Sequence, residues 1–364
     1  MNRQRINSID GLRGIGACII AFFFHYKYFD STEIPLRMPG IGLLGEYGYL
    51  MVELFFLISG FVIALQYKAR IFNEQIVFKE FIKRRILHVW PLMAITLIVF
   101  TGLQTMYFCM LGEVFVSDGL DLNHFIYNLC LIQTGWIEDA ISLNGPAWCI
   151  SVEMLCYVIY YWCAYCSRKH KNSYIGLCIA FVLLGLSLNI WKVSLPFAAY
   201  STVGRGYICF FVGALLFEMH DRLGEKARKK IGWLLILSSV FVGIEVWLLG
   251  TGALGSPEIT VSLYIAPVLL WLAINTDGIR WLLELKPLRY LGKCSLSIYL
   301  WHFPLQCAIC LVDKKCQLNL DYSSTGFFLG YCVIVIAVAS ASYLLIEKNQ
   351  KQLISKAISW LLAD

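Results

Sequence analysis

Long apolar runs separated by short polar segments recur along the whole chain, and ten of them approach the length of about 20 residues that a helix needs to cross a bilayer. They lie at roughly 14–29, 47–67, 89–111, 147–166, 174–193, 200–219, 231–250, 259–274, 293–312 and 326–346, the first and the eighth being short. This pattern predicts an all-α integral membrane protein, a single bundle of about ten transmembrane helices. Phe125 to Trp136 is uncharged and about half the spanning length, which predicts a re-entrant or interfacial half-helix over 125–136. No repeat or low-complexity segment interrupts the pattern, so residues 1–364 read as one membrane domain with no appended soluble domain.

Composition sharpens the class: 59% hydrophobic and 15% charged residues lie outside the range of soluble domains. Charge then orients the helices. With both termini cytoplasmic, 24 of the 30 Lys and Arg fall in inner segments, and the remainder are Lys27, Arg37, Lys192, Arg205, Lys314 and Lys315. The net charge of +6 therefore reflects topology and is no mark of nucleic-acid binding, although the inner clusters also suit anionic lipid. No small-residue cleavage site follows the first apolar run, which reads as a retained anchor. Fourteen cysteines lie mostly inside apolar runs, and the pairs Cys163/Cys166 and Cys307/Cys310 have no second pair at zinc spacing. Packing, with no metal, is the expectation for them.

Polar groups within the apolar runs carry the candidate chemistry, because a charged or imidazole side chain in lipid is costly unless it faces the protein interior or a water-filled cavity. The first helix carries Arg13, just before its apolar run, and His25, the second Glu53 and Ser59, the fourth Trp148, Ser151 and Glu153, the sixth Arg205, and the ninth Ser297, Tyr299 and His302. Taken singly, each has a structural explanation: a helix-to-helix hydrogen bond for the serines, an interfacial snorkel for Arg205, a packed ring for His302. Together they favour a reactive or transport chamber, since every buried charge costs desolvation unless it pairs or is wetted. The positions place this polar centre between the midplane and the outer face, above the basic loop Phe81 to Pro91. In that loop Arg84 and Arg85, with His88 nearby, either serve topology alone or grip the phosphates of a cofactor such as coenzyme A.

Six segments in order are similar to the acyltransferase family 3 integral membrane proteins, which move acyl groups onto cell-surface carbohydrates. They are Asp10 to Arg13 followed by His25, Leu54 to Phe61, Phe81 to Pro91, Gly145 to Glu153 (GPAWCISVE), Arg205 with Cys209 to Leu216, and Tyr290 to Pro304 (YLGKCSLSIYLWHFP). The resemblance covers most of the chain and implies an O-acyltransferase of the bacterial plasma membrane that uses acyl-CoA, acetyl-CoA first, as cytoplasmic donor and a surface or exopolysaccharide sugar as acceptor. It further implies His25 and Arg13 as the residues essential for transfer, with Glu153 supporting them, and Arg84, Arg85 and His88 at the donor. Residues Ser59, Trp148, Ser151, Arg205, Ser297, Tyr299 and His302 are expected to build the polar centre or bind substrate.

Two departures from the family pattern stand out. His88 occupies a position where the family often has arginine, and eleven residues, Gly14 to Phe24, separate Arg13 from His25 where ten are usual. Eleven steps of about 100° bring two side chains within about 20° of one face, whereas twelve leave them about 120° apart. Either a π-bulge absorbs the extra residue or Arg13 reaches inward from the preceding loop. For the reaction, His25 is expected to take the proton from an acceptor hydroxyl, with Glu153 orienting its ring or stabilising its charged form; a covalent acyl-histidine is the alternative route. A transporter using the same groups as a proton relay, or a non-catalytic partner in polysaccharide assembly, are the rivals from other classes. The outer loop from Gly112 to Pro146 lacks Lys and Arg, and its Phe115, Trp136, Glu138 and Asp139 are candidates for sugar contact.

Overall fold

The structure is a computed structural model that describes residues 6–29, 34–36, 40–116, 119–137, 141–190, 200–249 and 257–350. These residues form thirteen helical elements: α1 Asn7–Phe29, α2 Ile41–Phe72, α3 Phe78–Leu111, α4 Leu122–Leu129, α5 Gly145–Cys166, α6 Lys171–Ile190, α7 Tyr200–Arg222, α8 Glu225–Leu249, α9 Pro257–Asn275, α10 Asp277–Leu283, α11 Lys286–Lys293, α12 Ser295–Cys316 and α13 Thr325–Glu347. Nine of them are long and apolar enough to cross a membrane among the described residues. The remaining expected run, 231–250, the seventh in order, falls on α8.

Two boundaries differ from the sequence pattern for local reasons. Helix α1 begins at Asn7, well before the apolar run, so Arg13 is helical and does not reach in from a loop. The half-helix expected over 125–136 is instead α4, shorter and earlier. Asp121 starts it by accepting a hydrogen bond from the His124 amide at 3.0 Å, and Leu131, at φ 60°, turns the chain out of helix soon after it ends.

The helices pack as two compact units, one of Met1–Gly16, Leu50–Phe78 and Leu155–Gly292, the other of Ala17–Tyr49, Lys79–Met154 and Lys293–Asp364. In the first, glycines let backbones touch. A Cβ built on Gly60 of α2 would lie 1.8 Å from the Phe210 carbonyl oxygen of α7, and one on Gly213 of α7 would lie 2.0 Å from that of Leu57 on α2. Small residues at such crossings replace the hydrophobic driving force that lipid does not supply. Gly14, in the first candidate motif, meets Gly292 in the same way, its Cβ falling 2.6 Å from the Gly292 nitrogen.

The α2–α7 crossing predicts that Gly213→Val destabilises the protein by about 3 kcal/mol, the upper end of overpacking, because backbone cannot step aside as a flexible side chain can. Gly176→Ala on α6, where an added Cβ meets nothing within 4 Å, should leave stability unchanged to within about 0.5 kcal/mol. Thermal unfolding of the detergent-solubilised protein compares the two, and equal midpoints would refute the close-packing argument.

Aromatic rings dominate the second unit. Phe29 of α1 is fully buried among Tyr322, Phe327 and Tyr331, with ring centroids 5.2, 5.1 and 5.0 Å away. Tyr26 donates to the Tyr322 carbonyl at 2.7 Å and Tyr331 to the Ala21 carbonyl at 3.3 Å. These contacts fasten the second half of α1 and the His25 it carries.

Candidate active site

Helix α1 changes geometry just before His25. Ile19–Phe24 is a π turn in which the His25 amide donates to the Ile20 carbonyl, five residues back, and a 3-10 turn over His25–Phe29 follows. A π turn takes up one residue more than an α turn, and it is the bulge that the twelve-step spacing of Arg13 and His25 offered as one of its two solutions. Bulky neighbours seat the turn: Ile20 and Phe22 are buried, and Gly48 leaves room for Phe24 and Ile19.

His25 and His302 are both buried, and their rings meet edge to edge. Nδ1 of His25 lies 2.6 Å from Nε2 of His302. The ring planes are 14° from parallel and the centroids 4.9 Å apart, so both nitrogens lie between the rings, close to their planes, as a directional hydrogen bond requires. Nδ1 of His302 is 3.1 Å from the Ile298 carbonyl oxygen one turn back on α12. Gln306, one turn on, donates from Nε2 to the His25 carbonyl at 2.8 Å. Phe24, Tyr28 and Phe303 surround the His25 ring at centroid distances of 4.9, 5.4 and 6.0 Å. A histidine with one nitrogen held by a second group, in surroundings poor in water, is suited to accept or pass a proton.

The start of α5 is tied to the same helix. Tyr299 donates to the Pro146 carbonyl at 2.7 Å, Cys149 Sγ lies 3.2 Å from the Tyr299 hydroxyl, and Asn144 donates to the Leu300 carbonyl at 3.2 Å. The GPAWCISVE and YLWHFP segments therefore meet in space. Ser151 holds the outer loop rather than facing open space: its hydroxyl donates to the Thr134 carbonyl at 2.8 Å, and Trp136 donates to the Ser151 carbonyl at 3.1 Å. Trp148 and Glu153 are half-buried on α5. Ser297 instead turns to α13, bonding Glu347 at 2.5 Å and Ser342 at 3.1 Å.

Other expected site residues lie elsewhere. In the first unit Arg205 pairs with Glu53 at 2.5 Å, Ser59 bonds Tyr157 at 2.9 Å, and Arg13 is half-buried on α1. Arg84 donates to Glu80 at 2.7 Å, with Arg85 half-buried and His88 exposed on the same helix, α3. The sugar-contact expectation for the outer loop is corrected at Phe115, which is 4% exposed and packs on Phe303 at 5.5 Å, leaving no face for stacking. Glu138 and Asp139 lie outside the described residues. Two other acids of that loop are committed: Lys314, 2.6 Å away, holds the Glu113 carboxyl below its usual range, and the His124 amide and ring do the same for Asp121. Reading the sequence for polar residues missed Gln306 and the Ile298 carbonyl. Spacing offered one signal, since residues 298, 302 and 306 recur one turn apart.

Against known proteins, the sequence model of a family described as an acyltransferase domain matches residues 6–346. The chain is 23% identical over 335 residues to the peptidoglycan O-acetyltransferase OatA of Listeria monocytogenes serovar 1/2a, covering 84% of this chain and 50% of that protein. It is 23% identical over 374 residues to a putative membrane-bound transacylase, BcsY, of Komagataeibacter xylinus, covering 96% and 83%. Protein 2 in the picA locus of Rhizobium radiobacter is 26% identical over 171 residues, 43% of this chain and 81% of that protein. No solved structure matches the chain.

Proposed function

This chain belongs to the acyltransferase family whose model spans residues 6–346, and on that premise we propose that it transfers an acyl group, acetyl first, from cytoplasmic acyl-CoA to a hydroxyl of a cell-surface or exopolysaccharide sugar, with His25 as general base. The observation that carries the reading is the hydrogen bond from buried His25 to His302 in a membrane O-acyltransferase, which leaves one nitrogen of His25 for the acceptor. Two relatives support the direction, one named a peptidoglycan O-acetyltransferase and the other a putative transacylase.

In the proposed step the acceptor oxygen bonds to the acyl carbon while its proton passes to His25. The thioester carbon–sulfur bond breaks, and the same proton leaves on the thiol of CoA. Arg13 supports the donor end and Arg84, Arg85 and His88 grip donor phosphates from the cytoplasmic side, while Glu153 stabilises the positive charge that develops on the imidazole. Both termini lie in the cytoplasm and the membrane is the bacterial plasma membrane.

Mass spectrometry of surface glycans from cells with and without the protein tests the proposal. One glycan should carry an acyl increment that disappears with the protein; unchanged glycans together with altered export of a solute would favour the transporter. Steady-state kinetics separate the routes, ternary-complex behaviour supporting direct transfer and ping-pong behaviour an acyl-histidine.

A further inference from the structure

Hydrogen-bond partners determine which nitrogen of His25 carries the proton. The Ile298 carbonyl can only accept, so Nδ1 of His302, 3.1 Å away, must be the protonated nitrogen of that ring. A neutral imidazole has a single N–H, so Nε2 of His302 is bare and accepts. The proton of the 2.6 Å contact then belongs to Nδ1 of His25, and by the same rule Nε2 of His25 is bare. The opposite assignment needs a cationic His302 donating to His25. That would bury a full charge in a side chain with 0% exposure, with no carboxylate hydrogen-bonded to either ring among the described residues.

We infer that His302 is a positioning residue for acyl transfer: by donating to Ile298 and accepting from His25, it holds His25 in the tautomer whose bare Nε2 faces the reaction. The inference rests on the proposed role of His25 as base, and it adds the device that aims that base. Helix α12 grips His25 at two points. His302 holds the ring through Nδ1, and Gln306, four residues on and on the same face, holds the backbone by donating to the His25 carbonyl at 2.8 Å. The carbonyl of Ile298, four residues back, completes a line of three positions one turn apart. The arrangement parallels the base and orienting group of hydrolytic triads, with a neutral imidazole in place of the carboxylate. A neutral orienter fits this site, since it directs the tautomer without placing another full charge among Phe24, Tyr28 and Phe303.

Nitrogen-15 NMR of the full-length protein labelled at histidine, in nanodiscs without substrate, reads the tautomers directly. Both His25 and His302 should be protonated at Nδ1. His302→Leu removes the acceptor and should let His25 protonate at Nε2, with kcat falling about 10²–10⁴-fold, the range for loss of a correctly protonated base, at little change in KM. His302→Gln supplies an amide oxygen that accepts from His25 Nδ1–H, so it should keep the wild-type tautomer and recover most of the rate. It also carries the test if the leucine variant fails to fold.

An N–H at Nε2 of His25 in the wild-type protein overturns the inference, as does a leucine variant that folds with the wild-type tautomer and full kcat. These readings are independent of the functional proposal. If the tautomers are as described but a folded His25 variant still transfers acyl groups, the general-base reading fails while the hydrogen-bonded array stands.

Discussion

Replacing His25 by Asn is expected to reduce acyl transfer by about 10²–10⁴-fold, the contribution typical of a positioned general base, while leaving the protein folded. Asparagine suits this better than alanine. Its amide nitrogen can donate to His302 Nε2 in place of the imidazole Nδ1, so the buried acceptor is not left unpaired at a cost of about 1–3 kcal/mol. The variant thus separates chemistry from packing, since the aromatic neighbours Phe24, Tyr28 and Phe303 keep a polar group of similar reach between them. Transfer of labelled acetyl from acetyl-CoA in inverted membrane vesicles measures the rate, and thermal unfolding reports the fold. A folded variant that keeps more than about a tenth of the wild-type rate would sink the assignment of His25 as base.

The second large effect concerns stability. Glu53 is 0% exposed and Arg205 14%, and their contact at 2.5 Å is an ion pair within the first unit, with Glu53 Oε2 buried and without a hydrogen-bond partner among the described residues. Such a pair is weak evidence of net stabilisation, because removing two charges from water costs about as much as their attraction returns. Breaking it is another matter. Glu53→Ala takes a buried carboxylate away from Arg205, and should cost about 3–5 kcal/mol, with Arg205→Ala costing a similar amount. The double variant Glu53→Leu, Arg205→Met should recover most of the loss, being neutral or even stabilising by about 1–4 kcal/mol relative to wild type. Denaturant or thermal unfolding of the purified protein gives all three values. Single variants as stable as wild type would show that water reaches the pair, and a double variant as weak as the singles would show that the two residues act through other contacts.

Much of this architecture was legible in the chain. Apolar runs of spanning length predict membrane helices wherever they occur, and nine such helices among the described residues follow them. The misplacement of α4 shows the limit of that signal. An uncharged stretch from Phe125 to Trp136 says only that the segment tolerates an apolar setting, whereas a cap at Asp121 and a left-handed Leu131 decide where helix starts and stops. The extra residue between Arg13 and His25 was legible too, because helical phase is arithmetic, and the π turn Ile19–Phe24 is one of the two solutions that the spacing allows. Arg205 was visible as a costly residue in lipid, but its partner was not.

From residue types and spacing alone follow the all-α membrane class and the cost of burying His25, since those depend on burial and on helical period, while the motifs in their order carry the resemblance to the family. Only the tertiary structure decided which side chains meet. His25 and His302 stand 277 positions apart, and Glu53 and Arg205 152. A hydrogen bond between such residues exists only when two helices pack at one rotation and one depth, set by close contacts such as Gly60 against Phe210 and Phe29 among its aromatic neighbours. A sequence states the cost of burying a histidine; the packing determines which group meets its ring.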